Sequence, residues 1–308
     1  MEIAITIIPI FTVICIGWLA RLKGFLPDEF ISPANRLIFY LAIPAMIFRS
    51  VSNASLKTQF NPNVLAGTLV SVVLASAISL AIGRRVRISA RARGTFIQSA
   101  IHGNLGYIGL AVSFYYLGEQ GLAGAGIVAG VLMILQNFIS VLALQLYSPS
   151  TYGSGKKRAL AGKILGNPVI VSACCGIVAS LLDLQIPLVM DRTLRILGGM
   201  ALPTALIIIG GSLSIQMVRA TLTPVIIVCI LKLAMLPAIG FSLFIWLGIP
   251  QEEYLPSLIL LASPSATVSV VMAREMDGDE DFAVAAISAG TLLSIATFSL
   301  WLGITSLA

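Results

Sequence analysis

Long apolar runs recur along nearly the whole chain, separated by short polar or basic interruptions. Each run has about the twenty residues that a helix needs to cross a bilayer. Read with those interruptions, the pattern predicts ten transmembrane helices near 3–20, 31–51, 63–83, 95–117, 121–147, 165–183, 187–213, 222–247, 254–275 and 282–305. No stretch is left over for a separate soluble domain. The first run lacks the basic start and the clean small-residue cleavage site of a secretory signal, so it reads as a span.

Composition agrees with an all-α integral membrane protein. Across 308 residues, 58% are hydrophobic, 10% are charged, and mean hydropathy is +1.00, a surface that a water-soluble fold has nowhere to put. Cys15, Cys174, Cys175 and Cys229 all fall inside apolar runs, where cysteine serves as a small packing residue. The surplus of six positive charges reports topology and not a nucleic-acid partner, because the bases concentrate in a few short loops. Arg84, Arg85, Arg87, Arg91 and Arg93 follow the third span, Lys156, Lys157, Arg158 and Lys163 follow the fifth, and Arg21 and Lys23 follow the first. Loops rich in Lys and Arg face the cytoplasm, which places both termini outside the cell membrane. The opposite loops carry chiefly Arg49, Lys57 and Arg192, with Glu119, Glu252 and Glu253 among them.

The second half of the chain repeats the first. At an offset of 159, Pro9 falls on Pro168, Cys15 on Cys174, Gly17 on Gly176, Arg36 on Arg195 and Pro44 on Pro203. At an offset of 160, Gly118 falls on Gly278 and Gly130 on Gly290, and the patch 103–109 lies over 263–269. The division is a first five-helix repeat at 1–147, a cytoplasmic linker at 148–163, and a second repeat at 164–308. An odd number of spans per unit turns the second copy upside down, and inverted repeats are characteristic of secondary transporters, whose halves exchange roles as the protein opens to one side and then the other.

In such folds the substrate sits near the bilayer midplane beside interrupted helices. Span four carries HGNLGYIG at 102–109, with Gly103, Gly106 and Gly109 beside His102 and Asn104, a composition that a continuous helix disfavours. Its counterpart in span nine, ASPSATVS at 262–269, sets Pro264 among Ser263, Ser265, Thr267 and Ser269, and proline removes a backbone donor. Both helices are therefore expected to break at matching depth, with Gly103, Gly106 and Pro264 as the breaking residues, and to cross there. Half-helix N-termini at the crossing favour an anion.

Asn104 is the first candidate for substrate contact, since its amide can donate to a carboxylate. His102 and Lys232 are candidates too: the histidine, unique in the chain, for proton coupling or a neutral hydrogen bond, and the lysine, deep in span eight, for balancing an anion or bonding the carbonyls of a broken helix. Gln136, Asn137 and Asn35 suit interhelical hydrogen bonds, and Pro44 and Pro203 read as kinks. No aspartate or glutamate falls in the middle of a span, and there is no phosphate-binding Gly-rich loop, metal-ligand spacing or catalytic triad. ATP drive and membrane-embedded hydrolysis have no support, and no enzymatic activity or cofactor is expected beyond a coupling proton or sodium ion.

The segments ANRLIFYLAIPAMIF at 34–48, GNLGYIGL at 103–110, LQN at 135–137 and SPSATVSVVMAREM at 263–276 resemble the auxin efflux carrier family, which includes plant exporters and bacterial members such as proposed malonate carriers. Gly103 stands where plant members have proline, and Ala111 where bacterial relatives often have proline. The resemblance spans essentially the whole chain. It implies ten spans in a scaffold bundle and a transport bundle, helices four and nine crossing at the substrate site, an organic anion as substrate, and dimerisation through scaffold helices. By that likeness Asn104 matches the crossover asparagine, Pro264 the crossover proline, and Gln136 a polar position of the fifth span. The family also resembles in fold the sodium-coupled bile acid carriers, which makes a sodium-coupled organic-anion symporter the alternative mechanism. A channel or sensor on the same scaffold is a third reading. Within the first, Gly103, Ser263 and Ser265 join His102, Asn104, Pro264, Gln136 and Lys232 as the expected substrate-binding set.

Overall fold

The computed structural model describes residues 2–53, 61–148, 168–220 and 222–306. Lys57 and almost all of the expected linker at 148–163, with its basic residues, lie outside the described residues. Those described are helical almost throughout. In chain order they form α1 (Glu2–Leu22), α2 (Asp28–Leu37), α3 (Ile43–Ser52), α4 (Pro62–Gly83), α5 (Ala90–Ile101), α6 (Leu110–Tyr147), α7 (Pro168–Leu181) and α8 (Leu188–Gly199). The series continues with α9 (Ala201–Gly211), α10 (Ile215–Ala220), α11 (Leu222–Ile230), α12 (Leu236–Trp246), α13 (Gln251–Ala262), α14 (Val268–Glu275) and α15 (Glu280–Thr305).

Seven stretches of the described residues are long and apolar enough to cross a membrane: Ile3–Leu22, Glu29–Ser52, Pro62–Gly83, Leu105–Tyr147, Leu188–Gly211, Leu222–Trp246 and Glu280–Thr305. The difference from the ten expected has local causes. The fourth and fifth expected spans run on as one helical stretch through Gly118, the one residue of α6 with non-helical angles (φ 70°, ψ −160°). The ninth is interrupted, and the sixth is described only as the shorter apolar helix Pro168–Leu181. Ile5, Ile196 and Trp246 are 66%, 76% and 79% exposed. With many similar side chains around the bundle they form an apolar exterior suited to lipid.

Two of the prolines inside the long helices, Pro44 and Pro237, follow wide turns. Proline has no N–H and its ring crowds the carbonyl four residues earlier. A π-helical turn at Ile38–Ala42 joins α2 to α3 ahead of Pro44, and another at Leu231–Met235 joins α11 to α12 ahead of Pro237. In the second case the Trp301 indole N–H of α15 donates to the carbonyl of Leu233, four residues before the proline, at 2.8 Å. Pro203 sits just beyond the turn at Met200 that separates α8 from α9.

Packing follows the internal repeat. α1 lies along α9 and α3 along α7; α4 packs on α12; α5 and α13 each pack on α6, and α5 and α14 on α15. Small residues set the closest approaches. A Cβ on Gly17 would strike the Ile207 backbone, and one on Gly176 would lie 2.9 Å from Val51 Cβ and 3.2 Å from the Phe48 carbonyl oxygen. The offset of 159 that carries Gly17 to Gly176 also carries Phe48 to Ile207, so corresponding residues of the two halves meet at corresponding contacts.

Candidate functional site

Two helices stop in the middle of the protein and face each other. α5 starts from Ser89, whose hydroxyl accepts from Ala92 N at 3.1 Å. It ends at Ile101, where His102 turns extended (φ −82°, ψ 99°). α13 ends at Ala262, where Ser263 does the same (φ −61°, ψ 140°). The two extended segments pair antiparallel across Gly103 and Ser265. Asn104 N–H donates to the Pro264 carbonyl at 2.7 Å, and Ala266 N–H to the His102 carbonyl at 2.9 Å. The chain then resumes as a π-helical turn at Leu105–Gly109 leading into α6, and as α14 from Val268. Within the segments expected to break, the helix is interrupted at 102–104 and at 263–267, and the two gaps meet; Gly106, expected as a breaking residue, lies inside the resumed π-helical turn.

A broken helix leaves carbonyls without intrahelical donors, and side chains around the crossing satisfy them. The buried Lys232 ammonium donates to the Leu261 carbonyl at 2.7 Å, the Ser263 hydroxyl to Ile259 at 3.0 Å, and the Ser265 hydroxyl to Ser99 at 2.7 Å. Gln136 Oε1 accepts from the Gly103 N–H at 3.2 Å, and His102 Nδ1 lies 3.1 Å from the Ser140 hydroxyl. Close approach needs glycine at Gly109, where a Cβ would lie 2.8 Å from Ser263 Oγ and 2.9 Å from Leu260 Cδ2. A cation at the end of α13 also opposes the partial negative charge of that terminus.

The N-terminal sides of the resumed helices are treated differently. Neither Asn104 nor Thr267 caps the helix that follows with its side chain. Asn104 is 5% exposed and its amide nitrogen has no partner among the described residues. It borders a cavity of about 390 Å³ between α2 and the crossing, lined also by His102, Gly103, Arg36, Asn35 and Tyr107. Tyr107 donates its hydroxyl to Asn35 Oδ1 at 3.0 Å. Among the described residues no carboxylate lines the cavity, and the Arg36 guanidinium does. Free donors and a cation without an acidic counterpart make a place for an anion.

The expected site residues divide accordingly. His102, Gly103, Asn104 and Gly106 line the cavity, whereas Ser263, Pro264, Ser265, Gln136 and Lys232 do not and are instead held within the fabric of the crossing. Asn35 and Asn137, expected as interhelical partners, line the cavity, with Asn137 also bonded to the Met133 carbonyl at 2.8 Å. Arg36 entered the sequence reading as a repeat marker matching Arg195 and as part of the 34–48 segment of the family resemblance, not as a site residue; a basic residue inside an otherwise apolar span was the available signal. Among the described residues no group of three His, Cys, Asp or Glu side chains gathers as a metal site would need.

A family model described as "Membrane transport protein" matches residues 2–154 and 156–302. The chain belongs to that family. It is the family of the auxin efflux carriers, as the crossover motifs had suggested. This membrane transport protein is 27% identical over 304 residues to a protein of Rhizobium meliloti named "Putative malonate transporter", covering 96% of this chain and 93% of that one. It is 22% identical to an uncharacterized transporter of Methanocaldococcus jannaschii, with 95% of each covered. It is 21% identical to the uncharacterized transporter YfdV of Escherichia coli K12, with 98% and 97% covered.

Proposed function

We propose that this transport protein carries a small organic carboxylate by alternating access, binding it at the crossing where Asn104 borders the cavity. The observation that carries the reading is Asn104, buried at the start of a resumed helix with an amide nitrogen that has no partner among the described residues, on the lining of a cavity that Arg36 shares and that no described acidic side chain lines. The helix N-terminus adds partial positive charge to the same spot. A volume of about 390 Å³ stands at the small end of ligand pockets, roughly 300–1,000 Å³, which suits a small acid. The name of the Rhizobium meliloti relative makes malonate the first substrate to try.

In this reading the chain forms ten spans as two inverted five-helix units, 1–147 and 164–308, with the basic loops in the cytoplasm and both termini outside. The matched contacts Gly17–Ile207 and Gly176–Phe48 support that symmetry. The protein acts as a carrier and performs no chemistry on its substrate. Radiolabel flux in proteoliposomes against a carboxylate panel, with and without sodium and a pH gradient, tests substrate and coupling together. Saturable flux of a small carboxylate, lost in Asn104→Ala while the protein stays monodisperse, is the expected result. Undiminished binding in that variant rejects the assigned role, and unit-conductance openings reject the carrier mechanism. His102→Gln with an unchanged pH dependence excludes proton coupling through that residue.

A further inference from the structure

A second, smaller cavity of about 180 Å³ lies between α3, α6 and the α8–α9 pair. Its relation to the main cavity is set by the internal repeat. The main cavity is lined from the second span by Asn35, Arg36, Phe39, Tyr40 and Ile43. An offset of 159 turns these into Leu194, Arg195, Gly198, Gly199 and Leu202, and all five line the smaller cavity. Five matches in one register make the two spaces counterparts. They also lie toward opposite ends of the same rod: Arg36 lines one and Arg49 the other. Thirteen residues of helix at about 1.5 Å each put them roughly 20 Å apart along its axis, a large part of the ~30 Å thickness of a bilayer core.

The smaller cavity is spanned by an ion network. Arg49 donates through Nε to Asp191 Oδ1 at 2.7 Å, and its Nη1 lies 3.7 Å from Glu119 Oε1. Asp191 also pairs with Arg195 at 3.5 Å. The members sit on three helices, and α3 packs on both α8 and α6. Arg49 is on α3 and Asp191 on α8, which pack together. Glu119 directly follows the Gly118 kink in α6, the helix that continues from the crossing.

Resting on the carrier reading above, we infer that the smaller cavity is the closed second mouth of the translocation path and that the Arg49–Glu119 contact, anchored by Asp191, is its bolt. Arg195 is then the cation of that mouth, as Arg36 is of the open one. Moving the crossing and α6 away from α3 and α8 parts Arg49 from Glu119 and leaves Arg49–Asp191 intact. The bolt is weak by design, since Glu119 is 64% exposed and such ion pairs bias an equilibrium only a few-fold.

The test needs no substrate. Leu202, 3% exposed, is replaced by cysteine in a chain whose Cys15, Cys174 and Cys175 are changed to serine. Its reaction with a membrane-impermeant maleimide is then timed in right-side-out and inverted vesicles. Glu119→Gln should accelerate labelling about two- to fivefold from the side that bears Arg49 and not from the other. Arg49→Glu should accelerate it as well, and the Arg49→Glu/Glu119→Arg exchange should restore the slow rate. Unchanged labelling in Glu119→Gln and Arg49→Glu, or acceleration from the opposite side, overturns the inference. Carboxylate flux measured on the Glu119→Gln protein separates the two readings: normal flux with unchanged labelling rejects the bolt alone, whereas absence of flux in the parent protein rejects the carrier reading while labelling still reports on the bolt.

Discussion

Replacing Gln136 by leucine isolates what the crossing contributes to binding. Gln136 is fully buried and its Oε1 is the acceptor that the structure gives the Gly103 N–H, at 3.2 Å, one residue before Asn104. Leucine has nearly the same volume and no acceptor, so the substitution leaves a buried backbone donor unpaired, at a cost of about 1–3 kcal/mol. Two considerations reduce that figure. The Gln136 amide nitrogen has no partner among the described residues, so removing it relieves a buried polar group. Side-chain hydrogen bonds between membrane helices also average only about 0.6 kcal/mol, reaching about 1.7. A net loss of about 1–2 kcal/mol follows, close to a 5- to 30-fold effect on an equilibrium. Because the bond fixes the extended segment and not the ligand itself, the loss should appear as a weaker dissociation constant for the transported carboxylate, measured by equilibrium binding in detergent, with a thermal midpoint lowered by a few degrees. Unchanged binding and an unchanged midpoint together would refute the idea that the Gly103 N–H depends on this acceptor.

Other substitutions report on separate parts of the account. Gly109→Val should place atoms within 3 Å of Ser263 and Leu260, costing about 1–3 kcal/mol of overpacking; binding should fall while expression is retained, and an unaltered affinity would show that the helices need not approach so closely. Arg36→Gln should raise KM about 3- to 10-fold and flatten its salt dependence, as expected for an exposed cation that attracts an anion, with flux against ionic strength as the measurement. Trp301→Phe keeps an aromatic side chain but loses part of the indole's volume and leaves the Leu233 carbonyl without its 2.8 Å donor; a loss of at least about 1 kcal/mol, seen as a lower thermal midpoint, is expected, and no change would argue that the wide turn before Pro237 needs no external donor.

Most of the architecture was legible because membrane spans advertise themselves by length. The two interruptions were legible too, since Gly103 and Pro264 oppose helix for reasons intrinsic to each residue, although Gly106, read the same way, sits in the π-helical turn that follows the gap. The orientation of polar side chains was not. Ser263 and Ser265 were expected at the substrate, and Lys232 and Gln136 were open to a substrate role or to a structural one; in the structure each is engaged with backbone at the crossing. Sequence shows that a polar atom lies at a given depth; whether it faces a cavity or an orphaned carbonyl depends on the helical phase at which the break falls, and a one-residue shift alters that by about 100°. Arg36 was missed as a cavity residue for the same reason. The wide turns ahead of Pro44 and Pro237 depend on carbonyls four residues upstream and on whether a distant donor such as Trp301 reaches them, which no local pattern encodes.

The most direct test is a structure solved with the carboxylate that carries the largest flux in proteoliposomes. The account predicts density for its carboxyl group within hydrogen-bonding distance of the Asn104 amide nitrogen, inside the cavity that Arg36 lines. Density for the ligand elsewhere, with the Asn104 amide still unpaired, would contradict it.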